Sequence, residues 1–361
     1  MDHASFMRRA LFLAERGLGR TTPNPVVGAC VVTDEGVVVG QGAHQRAGGP
    51  HAEVHALDAA GERARGATLY CTLEPCVHTG RTGPCTERIL AAGIKRVVAA
   101  VQDPDPRVSG RGLARLRECG VDVIADVERR AAIGLNLPFF TVKRRGRPFV
   151  ILKAATSLDG YIAARRDART FLTSRPANRR AHLVRARVDA VAVGAGTLLA
   201  DDPLLTAREV YRERPLARVV FDRRLRTPAN ARVFSTLSSG PVIILTSEAA
   251  TAAHADRAGT LEAAGALVVP LADTGLTSML RALVRYDVNS VLLEGGASVH
   301  AAAWDAGVVD SVHLYVTPRA IGSAGVPLLG AQRFSPAALV ESRVEALGPD
   351  VFIEGYVHRI D

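Results

Sequence analysis

The chain has 361 residues, 48% of them hydrophobic and 22% charged, with a formal net charge of +9. That length exceeds one comfortable core, so two domains are expected, and the composition is that of a globular chain rather than a disordered or fibrous one. No apolar run is long enough for a membrane span, the first residues lack the basic-then-apolar order of a signal peptide, and the 5 cysteines are too few for a disulfide framework, so a reducing cytoplasm is the expected home.

In chain order, Phe6–Gly17 carries apolar residues at helical spacing and stops at Gly17 and Gly19. Pro23-Asn24-Pro25 forbids helix, and Val26–Thr33 and Val37–Gly40 flank the turn Asp34-Glu35-Gly36 as a hairpin. Gly48-Gly49-Pro50 precedes a helix over His51–Ala60. Then follow a strand Thr68–Leu73, a helix Thr86–Ala92 and a strand Arg96–Val101, with a helix Leu113–Cys119 and a strand Val121–Ala125 behind them. Alternation of this kind predicts a layered α/β domain. The polar run Lys143-Arg144-Arg145-Gly146-Arg147-Pro148 marks the boundary, giving domains 1–146 and 147–361. The second half reads as strand Phe149–Ala154, helix Ala177–Arg187, strands Ala190–Val193, Arg218–Phe221 and Val242–Leu245, and a helix near Met279–Tyr286. Strand Ser290–Leu293, a glycine turn entering a helix over Gly295–Ala306, and strands Ser311–Val316 and Val351–Val357 complete a second α/β domain. The arginines are scattered and no aromatic-interleaved basic stripe is visible, so neither nucleic acid nor membrane is an expected partner; the positive excess favours small anions.

His51-Ala52-Glu53, followed by Glu74-Pro75-Cys76 and Pro84-Cys85, combines one imidazole, two thiols and a carboxylate. Catalytic zinc sites keep three protein ligands and leave one position for water, whereas structural sites close all four. His51, Cys76 and Cys85 are the expected ligands. The His-x-Glu then Pro-Cys…Cys order is the general signature of zinc deaminases, in which the glutamate is not a ligand. Residues two apart on a helix do not share a face, so His51 and Glu53 serve one pocket only if the helix begins there, and Gly48-Gly49-Pro50 supplies that start. Glu53 is the expected proton shuttle between water and a leaving amine. Cys30, Cys71 and Cys119 are read as ordinary strand and helix-end residues. In the second half, Glu294-Gly295-Gly296-Ala297-Ser298 suits either a phosphate on a helix N-terminus or a plain strand–helix joint. Asp201-Asp202-Pro203 reads as an acid pair or a capped turn, and Arg185 and Arg208 as phosphate ligands or solvated side chains.

Eight residues, Val77 to Pro84, separate the two cysteines, where the wider cytidine-deaminase superfamily usually has two. With Asn24-Pro25-Val26-Val27-Gly28, Gly42-Ala43-His44 and Ala47–Glu53, this half resembles the bifunctional riboflavin-biosynthesis deaminase/reductase family. Lys153–Gly160, Gly194–Arg208 and Leu293-Glu294-Gly295-Gly296 match that family's reductase half. The resemblance implies a two-domain α/β fold, with an N-terminal cytidine-deaminase-like three-layer α/β/α domain and a C-terminal dihydrofolate-reductase-like domain. It implies one Zn2+ in the first and NADPH in the second. The implied reactions are hydrolytic deamination of 2,5-diamino-6-ribosylamino-4(3H)-pyrimidinone 5′-phosphate, then reduction of the ribosyl group of the product to ribityl. The implied partners are these small phosphorylated pyrimidines and further copies of the chain, as a homo-oligomer.

On matching positions, Asn24, His44 and His78 contact the deaminase substrate, with Arg81 near its phosphate. Ala155, Phe171, Thr197, Asp201 and the run Gly296, Ala297, Ser298, Val299, His300, Ala301 and Ala302 contact NADPH. Arg185, Leu205, Arg208 and Glu294 contact the reductase substrate, the two arginines suiting its phosphate, and Lys153, pointing out of a strand into that site, is a further candidate. Where the family has a Ser-x-Trp-Ile-Thr run, this chain has Arg169-Thr170-Phe171-Leu172-Thr173. Arg169 then takes the substrate position as a guanidinium, and a phenyl ring replaces the indole at the cofactor. The rival readings are a nucleic-acid base deaminase and a deaminase fused to a non-catalytic binding or assembly domain.

Overall fold

The structure, a computed structural model, describes residues 2–77, 83–165, 170–330 and 334–358. The chain divides into two compact units, the first ending at Arg145 and the second beginning at Gly146.

The first unit runs α1 (His3–Ala14), β1 (Gly28–Val32), β2 (Val38–Ala43), α2 (Ala52–Ala60), β3 (Thr68–Cys71), α3 (Cys85–Ala91), β4 (Arg96–Ala99), α4 (Arg111–Glu118), β5 (Asp122–Ile124), α5 (Arg129–Leu135) and α6 (Leu137–Arg145). Its sheet has the order β2-β1-β3-β4-β5, with β1 antiparallel to both neighbours and β3, β4 and β5 parallel. Glycines show how helices cover both faces. A Cβ on Gly28 would lie 2.0 Å from Ala10 O of α1, and one on Gly42 would lie 2.3 Å from Ala52 O of α2. Gly42 pairs with Ala29, the neighbour of Gly28, so the two glycines point to opposite faces and α1 and α2 sandwich the sheet. The close approach of helix to strand is possible only because those positions lack side chains. The expected three-layer α/β/α arrangement is what forms. The polar run at the boundary differs from its sequence reading: Lys143, Arg144 and Arg145 form the last turn of α6.

The second unit runs β6 (Phe149–Thr156), β7 (Tyr161–Ala163), α7 (Arg175–Arg187), β8 (Ala190–Gly194), α8 (Ala195–Asp201), β9 (Ala217–Phe221), β10 (Val242–Ser247), α9 (Glu248–Ala253), α10 (Ala255–Ala263) and β11 (Ala266–Leu271). It continues through α11 (Leu276–Leu283), β12 (Ser290–Gly295), α12 (Ala297–Asp305), β13 (Ser311–Val316), β14 (Val326–Pro327), β15 (Val340–Leu347) and β16 (Asp350–Tyr356). A nine-stranded sheet has the order β11-β10-β9-β8-β12-β6-β13-β16-β15, parallel from β11 to β13 and closed by two antiparallel strands. The parallel strands β8, β9 and β12 are nearly continuous apolar runs because helices cover both faces. One face packs Val150, Leu152, Val291 and Leu293, the other Val191, Val193, Val220 and Leu292. The entry to β6 is pinned by Arg147, whose guanidinium forms a buried two-bond pair with Asp310 at 2.6 and 2.9 Å, while Val150 N donates to the same carboxylate at 2.8 Å. In such sheets, ligands bind beyond the carboxyl ends of the parallel strands.

Candidate active sites

In the first unit, two helix starts and one turn converge. His51 is the N-cap of α2, in extended conformation, and Cys85 opens α3 behind Pro84. Cys76 lies in the turn after β3. His51 Nδ1 is 3.2 Å from Cys85 Sγ and 3.6 Å from Cys76 Sγ, and all three ligand atoms lie within 4.8 Å of one another. Cys85 N donates to Cys76 Sγ at 3.4 Å, so the start of α3 already favours negative charge on that sulfur. The Cys76 thiol is drawn well down by a hydrogen bond from the Cys85 thiol, with a further contribution from His51 and with burial opposing. Cys85 is pushed far up by the same shared proton and by burial. A divalent cation between the sulfurs takes both as thiolates.

Glu53, in the first turn of α2, is buried, and its Oε2 has no hydrogen-bond partner. Burial pushes its carboxyl up, against the opposing pull of His51. Three ligand atoms in a tight triangle, beside a buried carboxylate with a vacant acceptor, fit a zinc ion and a water molecule. A fully partnered carboxylate would not serve as a proton shuttle.

His44, also buried, lies edge-on to His51 with ring centroids 5.5 Å apart. Its Nδ1 is 3.0 Å from Pro50 O and its Nε2 is 3.0 Å from Asn24 Nδ2. A carbonyl only accepts, so Nδ1 carries the proton, and Nε2 accepts from the Asn24 amide. Burial pulls the His44 pKa down, in keeping with that neutral ring. The Asn24 side chain is thereby oriented with its amide N–H toward His44 and its oxygen available as an acceptor. His78 and Arg81 lie outside the described residues.

In the second unit, a cleft of about 890 Å³ opens at the carboxyl ends of β6, β8, β9 and β12. Of the residues expected at NADPH, it is lined by Ala155, Thr197, Asp201, Gly296, Ala297, Ser298, Val299, His300 and Ala302; of those expected at the substrate, it is lined by Lys153 and Glu294. Gly296, with φ of 83°, is the N-cap of α12, so the amides of Ala297 and Ser298 open that helix toward the cleft. A Cβ on Gly295 would meet Val193 at 2.8 Å, and one on Gly296 would meet Thr197 Oγ1 at 2.9 Å, so the glycine turn sits flush on β8 and α8. His300 is buried with neither ring nitrogen partnered, and burial draws it down to about 4, leaving the ring neutral.

Leu152 pairs with Leu293, so the next residues along β6 and β12, Lys153 and Glu294, stand side by side. Arg185 of α7 donates Nε and Nη2 to Glu294, each at 2.6 Å, and Nη1 to Thr206 O at 2.8 Å. Lys153 Nζ lies 5.6 Å from the centroid of the Tyr315 ring, and burial pulls its pKa down. Arg185, Leu205, Arg208, Ala301 and Phe171 do not line the cleft. Leu205 has φ of 55° and is buried in the core. Arg208 is exposed, with its Nη1 3.3 Å from Thr206 Oγ1. Phe171 is 70% exposed. Arg169 lies outside the described residues. Arg223, Arg224 and Arg226 also line the cleft, just past β9. The sequence gives them no distinguishing mark, because they sit in an Arg-rich chain.

Two family matches fall one in each unit. Residues 1–101 match the cytidine and deoxycytidylate deaminase zinc-binding region, and residues 148–353 match the RibD C-terminal domain. The chain is 39% identical to riboflavin biosynthesis protein RibD of Aquifex aeolicus, over 97% of each chain. It is 38% identical to RibD of Escherichia coli, over 97% of this chain and 98% of that one. Among solved structures it is similar to RibD of Acinetobacter baumannii, with a TM-score of 0.86 at 33% identity and 98% coverage of both chains. It is likewise similar to a diaminohydroxyphosphoribosylaminopyrimidine deaminase/5-amino-6-(5-phosphoribosylamino)uracil reductase from Thermotoga maritima, with a TM-score of 0.84 at 36% identity and 98% coverage of both.

Proposed function

This chain belongs to the RibD family of riboflavin-biosynthesis deaminase/reductases, and from that premise we propose how its two halves divide the work. Residues 1–146 deaminate 2,5-diamino-6-ribosylamino-4(3H)-pyrimidinone 5′-phosphate. Residues 147–361 reduce the ribosyl group of the resulting 5-amino-6-(5-phosphoribosylamino)uracil to ribityl. The observation that carries the first assignment is the His51, Cys76 and Cys85 triangle beside the unpartnered oxygen of Glu53.

His51, Cys76 and Cys85 hold zinc, which when bound supplies Lewis acidity toward water. Glu53 takes a proton from the attacking water and delivers it to the leaving amine, and its raised pKa suits a group that must both accept and donate. His44 fixes the Asn24 amide, whose oxygen accepts from the pyrimidine. In the second half, NADPH supplies hydride. The amides at the start of α12 meet its phosphates, with Ala155, Thr197, Asp201 and the helix residues to Ala302 alongside and Phe171 packing on an apolar face. Lys153, half-buried beside Glu294, hydrogen-bonds the sugar oxygens, while Arg185 holds Glu294 in place. Arg208, exposed and beside Thr206, takes the phosphate.

The family's substrates are small phosphorylated pyrimidines, and no helix among the described residues is long and apolar enough to cross a membrane. We place the protein in the cytoplasm as a homo-oligomer; size-exclusion chromatography with light scattering tests the second point. The functional reading is tested by following NADPH absorbance with the diaminopyrimidine nucleotide as sole substrate. Oxidation that starts only after ammonia release supports the sequence of two reactions. Ammonia release without any NADPH oxidation would instead favour a non-catalytic second half.

A further inference from the structure

We infer that Glu74 is a positioning residue for Cys76, tying the metal-site turn to the start of α4. The inference rests on reading His51, Cys76 and Cys85 as the zinc ligands, and it concerns a side chain given no role above. Glu74 is buried, yet no cation neutralises it among the described residues. All of its partners are backbone amides. Oε2 accepts from Asp103 N at 3.1 Å and Gly110 N at 2.8 Å, and Oε1 accepts from Gly112 N at 2.8 Å and Leu113 N at 3.2 Å. Gly112 and Leu113 belong to the first turn of α4, whose N–H groups have no partner within the helix and whose dipole favours an anion. One carboxylate thus organises the loop 103–113 and caps the helix behind it.

The effect passes to Cys76 through a single residue. The Pro75 carbonyl lies where a Cβ on Gly112 would approach it to 2.0 Å, so α4 is seated directly against the Pro75-Cys76 peptide. On the other side, Cys76 O accepts from Thr86 N at 3.2 Å and Thr86 Oγ1 at 3.3 Å, both from the first turn of α3. The Cys76 turn is therefore held between two helix starts. The α3 side grips it through Cys76 itself, and the α4 side through Glu74. Residues behind a metal ligand that fix its orientation commonly change metal affinity about 10–100-fold when replaced.

The test is Glu74→Gln in the full chain. Glutamine keeps the shape but turns an NH2 toward two of the four amide donors. The expected result is a zinc dissociation constant raised about 10–100-fold in competitive chelator titration. The cobalt-substituted protein is expected to show an altered thiolate-to-cobalt absorption band, while NADPH-dependent reduction of supplied intermediate is unchanged. A second measurement uses the unaltered chain. Since zinc affinity and α4 capping are linked reciprocally, zinc loading is expected to slow hydrogen exchange at the Gly110, Gly112 and Leu113 amides. Zinc-independent exchange at those amides would overturn the inference even if the variant does not fold. So would a Glu74→Gln protein with lowered thermal stability but normal zinc affinity and cobalt spectrum. Failure of the premise looks different: Cys76→Ser would then bind zinc as tightly as the unaltered chain.

Discussion

Arg185 and Glu294, 109 residues apart in sequence, face each other through two parallel hydrogen bonds of 2.6 Å, with side chains only 14% and 7% exposed. Removing one partner of such a pair strands the other charge in the interior, which typically costs about 3–5 kcal/mol. Glu294→Gln is therefore expected to destabilise the second unit by that order and to abolish reduction, while deaminase activity persists. Denaturant titration followed with both activities checks this; equal loss of the two activities would contradict it.

The same pair sets an acid dependence. Burial alone would raise the Glu294 pKa, but the Arg185 charge and hydrogen bonds, helped by Lys153, outweigh it and hold the carboxyl at about 2. A depressed pKa contributes stability that is present above the ordinary value, near 4.5, and is lost as pH falls through the folded value. The contribution is on the order of 3 kcal/mol. Acid denaturation of the second unit is expected to steepen between about pH 4.5 and 2, and the Glu294→Gln protein is expected to lack that component.

Glu53→Gln removes the proton shuttle while leaving the three ligand atoms in place. Deamination is expected to fall by about 100- to 10,000-fold, with zinc content by metal analysis unchanged and reduction of supplied intermediate intact. Loss of zinc in this variant would make Glu53 a structural part of the metal site instead.

Arg208→Ala tests the phosphate assignment. A hydrogen bond to a charged group contributes about 1.5–3 kcal/mol, so the reductase KM for the phosphorylated substrate is expected to rise about tenfold to a hundredfold with kcat little changed. The dephosphorylated substrate is expected to show no difference between variant and parent. Equal KM values for both forms in both proteins would remove Arg208 from the site.

Gly296→Ala combines a φ of 83° with a Cβ 2.9 Å from Thr197 Oγ1. The strain of a side chain in that region is about 1–3 kcal/mol, and relief requires the turn or Thr197, both of which line the cleft, to shift. NADPH affinity, read by cofactor fluorescence, is expected to weaken about tenfold, with deamination untouched.

Much of the deaminase half is legible in the sequence because its chemistry is local. His51 and Glu53 start one helix, Cys85 starts another, and glycine and proline mark both starts. What it hides are relationships that only folding makes. Glu74 stands in plain view beside Cys76, yet its partners lie some thirty to forty residues away, at Asp103, Gly110, Gly112 and Leu113. The missed elements have physical reasons too. Strand β11 contains Pro270, which argues against a strand, but β11 pairs only with β10 at the sheet edge, where a missing N–H is tolerated. Strand β15 is exposed along most of its length, so it shows no period-two pattern of burial. Helix α6 carries Pro138 in its first turn and three cations in its last, a composition that resembles a linker. In the second half, Lys153 and Glu294 become neighbours only through the pairing of β6 with β12, so spacing could not join them and the family resemblance did.

The place of β6 in the nine-stranded sheet has a consequence for how the protein is made. It is the first strand of its unit to leave the ribosome, yet its two neighbours are β12 and β13, which begin at Ser290 and Ser311. At about 5–20 residues per second, the last of these follows β6 by roughly ten to thirty seconds. Until β12 emerges Lys153 has no Glu294 beside it, and until β13 follows its other flank lacks a neighbouring strand. The elements of the first unit are all synthesised by Arg145, before β6 emerges. A growing chain is thus expected to be able to assemble its deaminase while its reductase is still waiting for its centre.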